Sequence, residues 1–547
     1  MLGEITKFFL SLSTLTFLPM LGAGVVMLLK IVLPEQKSLG RNVALLFSLI
    51  VLIQSIALFG YYAAGTCPIG NVPANANANA SASPFVFACE HQSEFFPLVG
   101  STWHVGIDGL SAAMILLTGI LTPLAMLISY EIEENVHEHM ALFLFFEMGL
   151  LGLFVSLDLF TFFLFWELSL VPMYFLINIW GGENRRYASF KFFLYAMGGS
   201  LGLLLAIQLI SSVAGTMDIP TLVAMWPKNL NATGGALTLP FGASLETVKN
   251  IAFLAFFVAF AIKVPIWPFH TWLPDAHTEA PTAGSMLLAG VMLKLGAYGF
   301  LRLVIPLFPA QSQAFAPVIA ILAMAGIILG ALAAWGQTDF KRLVAYSSVN
   351  HMGFVVLGIA AFAAIYNTIL TGGATSAEQM RSVTLATNGA VLQMFNHGLS
   401  SAGMFLLVGA LYHKAHTRDL TKFGGLWTLI PVYGTLLIFT SMASLGLPGL
   451  GGFVSEFQVV AGSWWFFPTI TAVSMLGLLM TGAYILKGIR AVLHGPVNEH
   501  WRDHHLEISP REVLALAPLV ILILVTGVWP NWIMPVINQT VTRLFGL

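Results

Sequence analysis

The sequence predicts an all-α, polytopic membrane protein with about fourteen transmembrane helices. Of its 547 residues, 57% are hydrophobic and 9% are charged, and the mean hydropathy is +0.85. A soluble domain carries about 25% charged residues, so this composition excludes a soluble globule. Apolar windows of about 20 residues, the length that spans a bilayer, recur along the chain. They lie near 8–33, 42–63, 107–129, 140–157, 159–180, 189–213, 247–268, 282–305, 314–336, 343–366, 386–412, 428–462, 468–492 and 512–530.

The distribution of positive charge predicts the orientation of these spans. The first apolar run, Phe8 to Leu33, is too long for a signal peptide core and lacks a small-residue cleavage site, so we interpret it as the first span. An even number of spans puts both termini on one side. Loops on the other side hold fifteen of the 23 Lys and Arg residues, against five on the terminal side. By the positive-inside rule, both termini face outward.

Two spans are interrupted, and each interruption lies beside an ionisable residue. In the seventh span, Pro265 and Pro268 follow Lys263 and remove backbone donors from the helix. In the twelfth span, the string LGLPGLGGFVSE contains Pro448 and ends at Glu456. Broken helices with adjacent charges are typical of transporters built from inverted repeats. Because the breaks are five spans apart, we expect two inverted five-helix repeats, made of spans 4–8 and 9–13.

These repeats define five segments of the chain. Residues 1–106 hold two helices and a long outer loop, 64–106, and residues 107–139 hold the third helix and an inner loop. The first repeat covers 140–305 and the second covers 306–492. Residues 493–547 then provide an inner loop, the last transmembrane helix and an outer C-terminal tail.

The long outer loop contains no Lys or Arg and includes the tract NVPANANANASASP. Such a composition predicts a flexible surface excursion. Both cysteines of the chain, Cys67 and Cys89, lie in this loop, on the oxidising side of the predicted topology. A disulfide and two free thiols both remain open at this point. A metal or iron–sulfur site is excluded for want of ligands.

Lysines and a glutamate inside the spans predict an ion pathway. An ammonium in hydrocarbon costs roughly 2.5–3.5 kcal/mol on insertion scales, so Lys263 requires a partner or water. Glu167 lies shortly before Pro172 in the fifth span, and its carboxylate is a candidate partner. Lys294 lies in a span whose glycines, Gly290, Gly296 and Gly299, allow close helix packing.

Other ionisable residues support the same hypothesis less directly. His351 and His397 titrate nearest to neutral pH, which suits a proton relay. Asp275 and His277 are expected to cap or orient the broken seventh helix. Glu147 is also intramembrane, but no break or motif accompanies it. For a single buried Glu or His, a hydrogen-bonding strut between helices remains an open alternative.

Several strings resemble a known family. FWELSLVPMYFLI, the 259–303 segment from AFAIKVPIWPFH to GFLRL, SSVNHMGFV, FNHGLSSAGMFL and LGLPGLGGFVSEF resemble the M-type, antiporter-like membrane subunit family of NADH:quinone oxidoreductase, respiratory complex I. The resemblance runs from about Ile107 to the last span and leaves out the loop with the cysteines. It implies fourteen helices, two inverted repeats and one proton channel in a bacterial cytoplasmic (inner) membrane.

The resemblance also implies roles for individual residues. The family's paired glutamate and lysine match Glu167 and Lys263, and its central lysine matches Lys294. Its relay histidines match His351 and His397, and its exit carboxylate matches Glu456. Withdrawal of Glu167 would destabilise the Lys263 ammonium, so that its proton would pass to Lys294 and along the histidines to Glu456.

The resemblance places the redox chemistry in other subunits. It implies no cofactor in this chain, FMN and iron–sulfur clusters in partner subunits, and neighbouring antiporter-like subunits and lipids as direct partners. NADH and quinone would act indirectly, and nothing indicates a nucleic-acid partner. An Mrp-type cation/proton antiporter and a ferredoxin- or hydrogenase-linked relative of complex I remain open alternatives. A haem-bearing anchor would not need Lys263 or Lys294.

Overall fold

The computed structural model describes residues 7–67, 85–231, 233–235, 237 and 244–546. Within these ranges, thirteen helices are long and apolar enough to cross a membrane. They are α1 Leu12–Val32, α2 Lys37–Ala63, α3 Gly109–Ile128, α4 Val136–Val155, α5 Leu159–Trp180, α6 Arg185–Ala214, α7a Leu245–Lys263, α8 Thr282–Leu307, α9 Pro309–Trp335, α10 Phe340–Leu370, α11 Ala377–Ala415, α13 Pro468–Leu493 and α14 Pro510–Val528. The predicted helical, multi-pass fold is confirmed.

The seventh and twelfth spans are interrupted, as expected. Helix α7a ends at Lys263, and the chain resumes as α7b, Trp272–Glu279, after the two prolines. The twelfth span is two shorter helices, α12a Pro431–Leu445 and α12b Gly451–Ser463, separated by Pro448. Its two halves explain why the described residues contain thirteen long apolar helices and not fourteen.

Aspartate caps at equivalent places relate the two halves of the fold. Asp158 caps the start of α5, and its backbone bridges to Asp218, the cap of a short helix that follows α6. Asp339 caps the start of α10, five spans later, and bridges in the same way to Asp419. Successive spans alternate in direction, so a five-span shift puts the second bridge on the opposite face. This arrangement is the one that inverted repeats require.

The end of the long loop is ordered, which differs from the flexible excursion that composition predicted. Two antiparallel strands, β1 Ala88–Phe96 and β2 Ser101–Ile107, form a hairpin on the face where α2 ends and α3 begins. Cys67 and Cys89 are joined by a disulfide, which ties the hairpin to the end of α2. The Ala/Asn-rich tract at 71–84 lies outside the described residues.

One histidine fastens this hairpin to the rest of the protein. The His104 Nδ1 atom lies 2.6 Å from Asp218 Oδ1, and its Nε2 atom lies 2.7 Å from Glu90 Oε1. Burial lowers the pKa of His104, but the hydrogen bonds and charges of the two carboxylates outweigh it and raise that pKa to about 9. The imidazolium therefore bridges β1 and the Asp218 cap at neutral pH.

The C-terminal tail also contains more structure than expected. An amphipathic helix, α15 Met534–Leu544, packs against α3. The Thr540 hydroxyl accepts a hydrogen bond of 2.7 Å from the backbone N–H of Gly109 and lies 3.1 Å from the Tyr62 hydroxyl. These contacts hold α15 against the start of α3 and the end of α2.

Candidate functional site

Four of the predicted relay residues form one buried row at the middle of the protein. This row, called the file below, consists of Lys294, His397, His351 and Glu456. Lys294 Nζ lies 2.8 Å from His397 Nδ1. The rings of His397 and His351 are 5.8 Å apart between centroids. His351 Nδ1 then lies 2.8 Å from Glu456 Oε1. Residues from α8, α11, α10 and α12b thus form a continuous series of groups that can bind and release protons.

The backbone of α8 is irregular on both sides of Lys294. Residues Leu288–Met292 and Phe300–Val304 form wide π-helical turns that flank the α-helical segment containing the lysine. The Lys294 ammonium donates to the carbonyl of Ala289, inside the first wide turn. Such π-bulges occur most often at functional sites. Here, the wide turn provides a carbonyl acceptor for the lysine, in addition to His397.

The break in α12 is held against the file by polar side chains of α11. Asn396 Nδ2 donates to the Gly451 carbonyl at 2.7 Å, at the first residue of α12b. Gln393 Nε2 donates to Glu456 Oε1 at 2.8 Å. Tyr484, from α13, lies 3.2 Å from His351 Nε2. Sequence reasoning missed these residues, although Gln393 and His397 are four positions apart and therefore on one helix face.

Glu167 and Lys263 are neighbours, but they do not form the direct pair that the sequence suggested. Among the described residues, the two form no ion pair within 4.0 Å. Lys263 Nζ is buried without a hydrogen-bond partner there and lies 4.7 Å from the centre of the Trp166 ring. Glu167 is half-buried, and its charge still acts on Lys263. The ammonium therefore rests on an aromatic face beside the carboxylate.

Glycines bring the two lysine-bearing helices into contact, as predicted. A Cβ atom on Gly296 would lie 2.7 Å from the Phe260 carbonyl oxygen, and one on Gly299 would lie 2.4 Å from the Phe260 ring. Helix α8 thus packs directly on the last turn of α7a, where Lys263 lies. On the other side of α8, a Cβ atom on Gly398 of α11 would lie 2.8 Å from the Gly290 carbonyl oxygen. Larger residues at these positions would separate the helices of the file.

A cavity of about 210 Å³ opens near the start of α8, on the face opposite the hairpin. Its lining includes Glu279, Lys341 and Arg418. Below it, His277 is fully buried, and neither ring nitrogen has a hydrogen-bond partner among the described residues. The charges of both Lys341 and Lys294 act on this ring. His277 is thus near one lysine that lines the cavity and one lysine of the file.

Asp275 forms two ion pairs at the second half of the broken helix. Its carboxylate lies 2.7 Å from Lys191 Nζ of α6 and 3.4 Å from Arg342 Nη2 of α10. These ion pairs join α7b to one helix of each repeat. The break at Pro265 and Pro268 is thereby held between the two repeats.

Glu147 lies apart from the file. It is fully buried in α4, where Ser48 of α2 donates to its Oε1 atom at 3.4 Å. Its Oε2 atom has no hydrogen-bond partner among the described residues. The structure thus separates this carboxyl from the Lys294–Glu456 file.

Comparisons with known proteins agree with this fold. A sequence model of the transmembrane family described as NADH:quinone oxidoreductase/Mrp antiporter matches residues 156–481, more than half of the chain. NADH-quinone oxidoreductase subunit M of Escherichia coli (strain K12) is 41% identical over 469 residues, covering 83% of this chain and 85% of the relative. Subunit M of Pseudomonas aeruginosa is 38% identical over 525 residues, covering 94% and 93%.

A solved structure gives the same result. A chain of respiratory complex I from Thermus thermophilus with bound NADH matches with a TM-score of 0.78 and 25% identity, covering 97% of this chain and 99% of that one. The chain belongs to the NADH:quinone oxidoreductase/Mrp antiporter family of transmembrane subunits. Within that family, both curated relatives above are subunit M of NADH-quinone oxidoreductase. The expected family is confirmed.

Proposed function

We propose that this chain is the M-type, antiporter-like subunit of a proton-translocating NADH:quinone oxidoreductase and moves H⁺ across the membrane. The observation that carries the proposal is the buried file from Lys294 through His397 and His351 to Glu456. Buried ionisable groups inside a membrane protein mark ion pathways because their insertion is costly. Here they come from four helices, α8, α11, α10 and α12b, and end at the broken twelfth span.

The proposed route begins at the cavity lined by Glu279 and Lys341. A proton reaches Lys294 by way of His277, whose unpaired ring nitrogens can accept and donate it. It then passes through His397 and His351 to Glu456, over heavy-atom distances of 2.8 Å at either end. The 5.8 Å separation of the histidine rings leaves one step for a ring rotation or a water molecule. Glu456 releases the proton toward the face of the chain termini.

Glu167 and Lys263 form the control point of this route. When the carboxylate is near, the ammonium of Lys263 is stabilised; when it withdraws, burial favours the neutral amine. Loss of that charge beside α8 changes the field at Lys294. Driving one charge against 100 mV requires about 2.3 kcal/mol. Displacement of a partner charge by a few ångströms in a low-dielectric interior changes the interaction by a similar amount.

Partner subunits supply the energy. The neighbours of this chain are other membrane-arm subunits of complex I, including antiporter-like ones, together with lipids. FMN and iron–sulfur clusters lie in the peripheral subunits, where NADH is oxidised and quinone reduced. The complex resides in a bacterial cytoplasmic (inner) membrane, and both termini of this chain face outward, in agreement with the positive-inside rule.

Gentle purification from native membranes tests the assignment to complex I. The chain should copurify with flavin and iron–sulfur subunits and with NADH:quinone oxidoreductase activity. An Mrp-type antiporter would instead copurify with antiporter subunits, and a related hydrogenase with a hydrogenase. Either of these companions, without NADH oxidation, would overturn the assignment.

Substitution of the control pair tests the mechanism. Lys263→Ala and Glu167→Ala should each severely reduce NADH-driven proton pumping because each removes one member of the pair that controls the route. Pumping is measured by a pH-sensitive dye in membrane vesicles, and native electrophoresis with NADH:ferricyanide activity verifies assembly. Full pumping by an assembled Lys263→Ala enzyme would refute the assigned role.

A further inference from the structure

Trp166 provides a second partner for the Lys263 ammonium. The Lys263 Nζ atom lies 4.7 Å from the centre of the indole ring. It has no hydrogen-bond partner among the described residues, and the side chain is 2% exposed. A cation over an aromatic face is attracted by the ring quadrupole, most strongly for Trp, and the attraction grows when the cation is desolvated. Both conditions hold here.

The indole ring is fixed in its position over the lysine. Its Nε1–H donates to the Ser200 hydroxyl of α6 at 3.0 Å. The ring of Phe162 stacks on it at 6.2 Å, and the ring of Phe260 meets it edge-to-face at 5.1 Å. The N–H is therefore bonded, and Phe162 and Phe260 pack against the ring. The Lys263 ammonium lies over a face of this fixed ring.

Other charged groups near α7a are bonded elsewhere. In the described part of the protein, the charge that acts on Lys263 is that of Glu167, which is next to Trp166 in the chain. The helices packed against α7a carry further titratable groups, each with its own partner: Lys191 with Asp275, Tyr195 with Thr271, Lys294 with His397, Tyr298 with Ser111, and Arg302 with Asp108. Among the described residues, the ammonium thus has one carboxylate and one aromatic ring as its partners.

We propose that Trp166 is a positioning residue of the proton pathway: its ring holds the Lys263 ammonium when Glu167 does not pair with it directly. This inference rests on the proposed pumping function and adds an intermediate state to it. Exchange of the ammonium between carboxylate and ring avoids a step in which a buried cation has no partner. The ring also keeps Lys263 near the end of α7a, within reach of α8.

A series of ring substitutions tests this role. Trp166→Phe retains a weaker aromatic face, and Trp166→Leu retains bulk without one. Because the ring stabilises the ammonium, its loss should move the alkaline limb of the pH profile of pumping to lower pH, by about one pH unit for Trp166→Leu. That shift is a tenfold change in proton affinity, equal to about 1.36 kcal/mol. Trp166→Phe should shift in the same direction by less.

The controls separate this role from packing. Phe256→Leu removes a buried ring from the same helix as Lys263, where it contacts Phe260 and Phe308, and should leave the pH profile unchanged. If Trp166→Leu does not assemble, Trp166→Phe decides, since it must still shift the limb. A wild-type profile in Trp166→Phe and Trp166→Leu, or an equal shift in Phe256→Leu, would overturn the inference. If Lys263→Ala itself pumps fully, the failure lies in the proposed function instead.

Discussion

At the scale of single residues, burial alone does not distinguish a relay group from a structural one. Glu147 is fully buried, whereas Glu167 is half-buried. What separates them is their surroundings. Glu167 lies beside a lysine at a helix break, whereas Glu147 has the Ser48 hydroxyl as its hydrogen-bond donor. The hydrogen bond from Ser48 to Glu147 joins α2 to α4, which is a structural role.

A comparison of the two glutamates tests this distinction. Glu147→Ala should reduce pumping less than Glu167→Ala because, in the described part of the chain, Glu147 forms no ion pair and Glu167 lies beside Lys263. Both are measured as the rate of NADH-driven acidification, normalised to assembled complex. An equal loss in the two variants would show that the wrong carboxyl has been placed in the control pair.

The sequence predicted individual residues better than their contacts. The prolines beside Lys263 and Glu456 marked the two breaks because a missing backbone donor disrupts a helix wherever it lies. The glycines of α8 predicted close packing for a similarly local reason. The ring of Trp166, in contrast, meets Lys263 across 97 positions of sequence, and Tyr484 meets His351 across 133 positions. Aromatic residues are abundant in any transmembrane span, so no local pattern distinguishes these two.

At the scale of elements, the hairpin was not foreseen. The sequence before its two strands has a low-complexity composition. The hairpin is held in place by tertiary contacts: the Cys67–Cys89 disulfide and the His104 ion pairs with Glu90 and Asp218. The sequence provides no means of pairing these residues in advance. The hairpin also contacts Asp158 and thus fastens the start of α5, since Ser101 Oγ donates to Asp158 Oδ1 at 2.7 Å.

The His104 clamp predicts a pH dependence for the hairpin. Since the pKa of His104 is raised from its ordinary 6.5 to about 9, the clamp is fully present below pH 6.5 and is lost as the pH rises through about 9. The hairpin should therefore protect the disulfide from a phosphine reductant at neutral pH and less so above pH 9. Thiol labelling of the assembled complex measures the rate of reduction.

His104→Asn is the control for this effect. It should open the disulfide faster than wild type at neutral pH, and the difference should vanish above pH 9, where the wild-type ring is neutral. A difference that persists unchanged across that range would mean that packing, and not charge, holds the hairpin.

At the scale of the whole molecule, the two broken helices and the file are parts of one arrangement. The Asp158–Asp218 and Asp339–Asp419 bridges occupy equivalent places in two repeats of opposite orientation. Each repeat therefore contributes a break and a charged residue to a common core. The spacing of the two breaks predicts this duplication. The line of protonatable groups between the breaks required three-dimensional packing, because its members come from four helices.

The central claim is that the buried file carries the protons that this subunit moves. The most direct measurement is the number of protons translocated per NADH oxidised by assembled enzyme carrying Lys294→Ala. The matched control is Lys249→Ala, which removes another buried lysine, one whose ammonium donates to the Trp226 carbonyl and to Asn229 outside the file. We expect a lower ratio for Lys294→Ala and the wild-type ratio for Lys249→Ala. A wild-type ratio in assembled Lys294→Ala enzyme would contradict it.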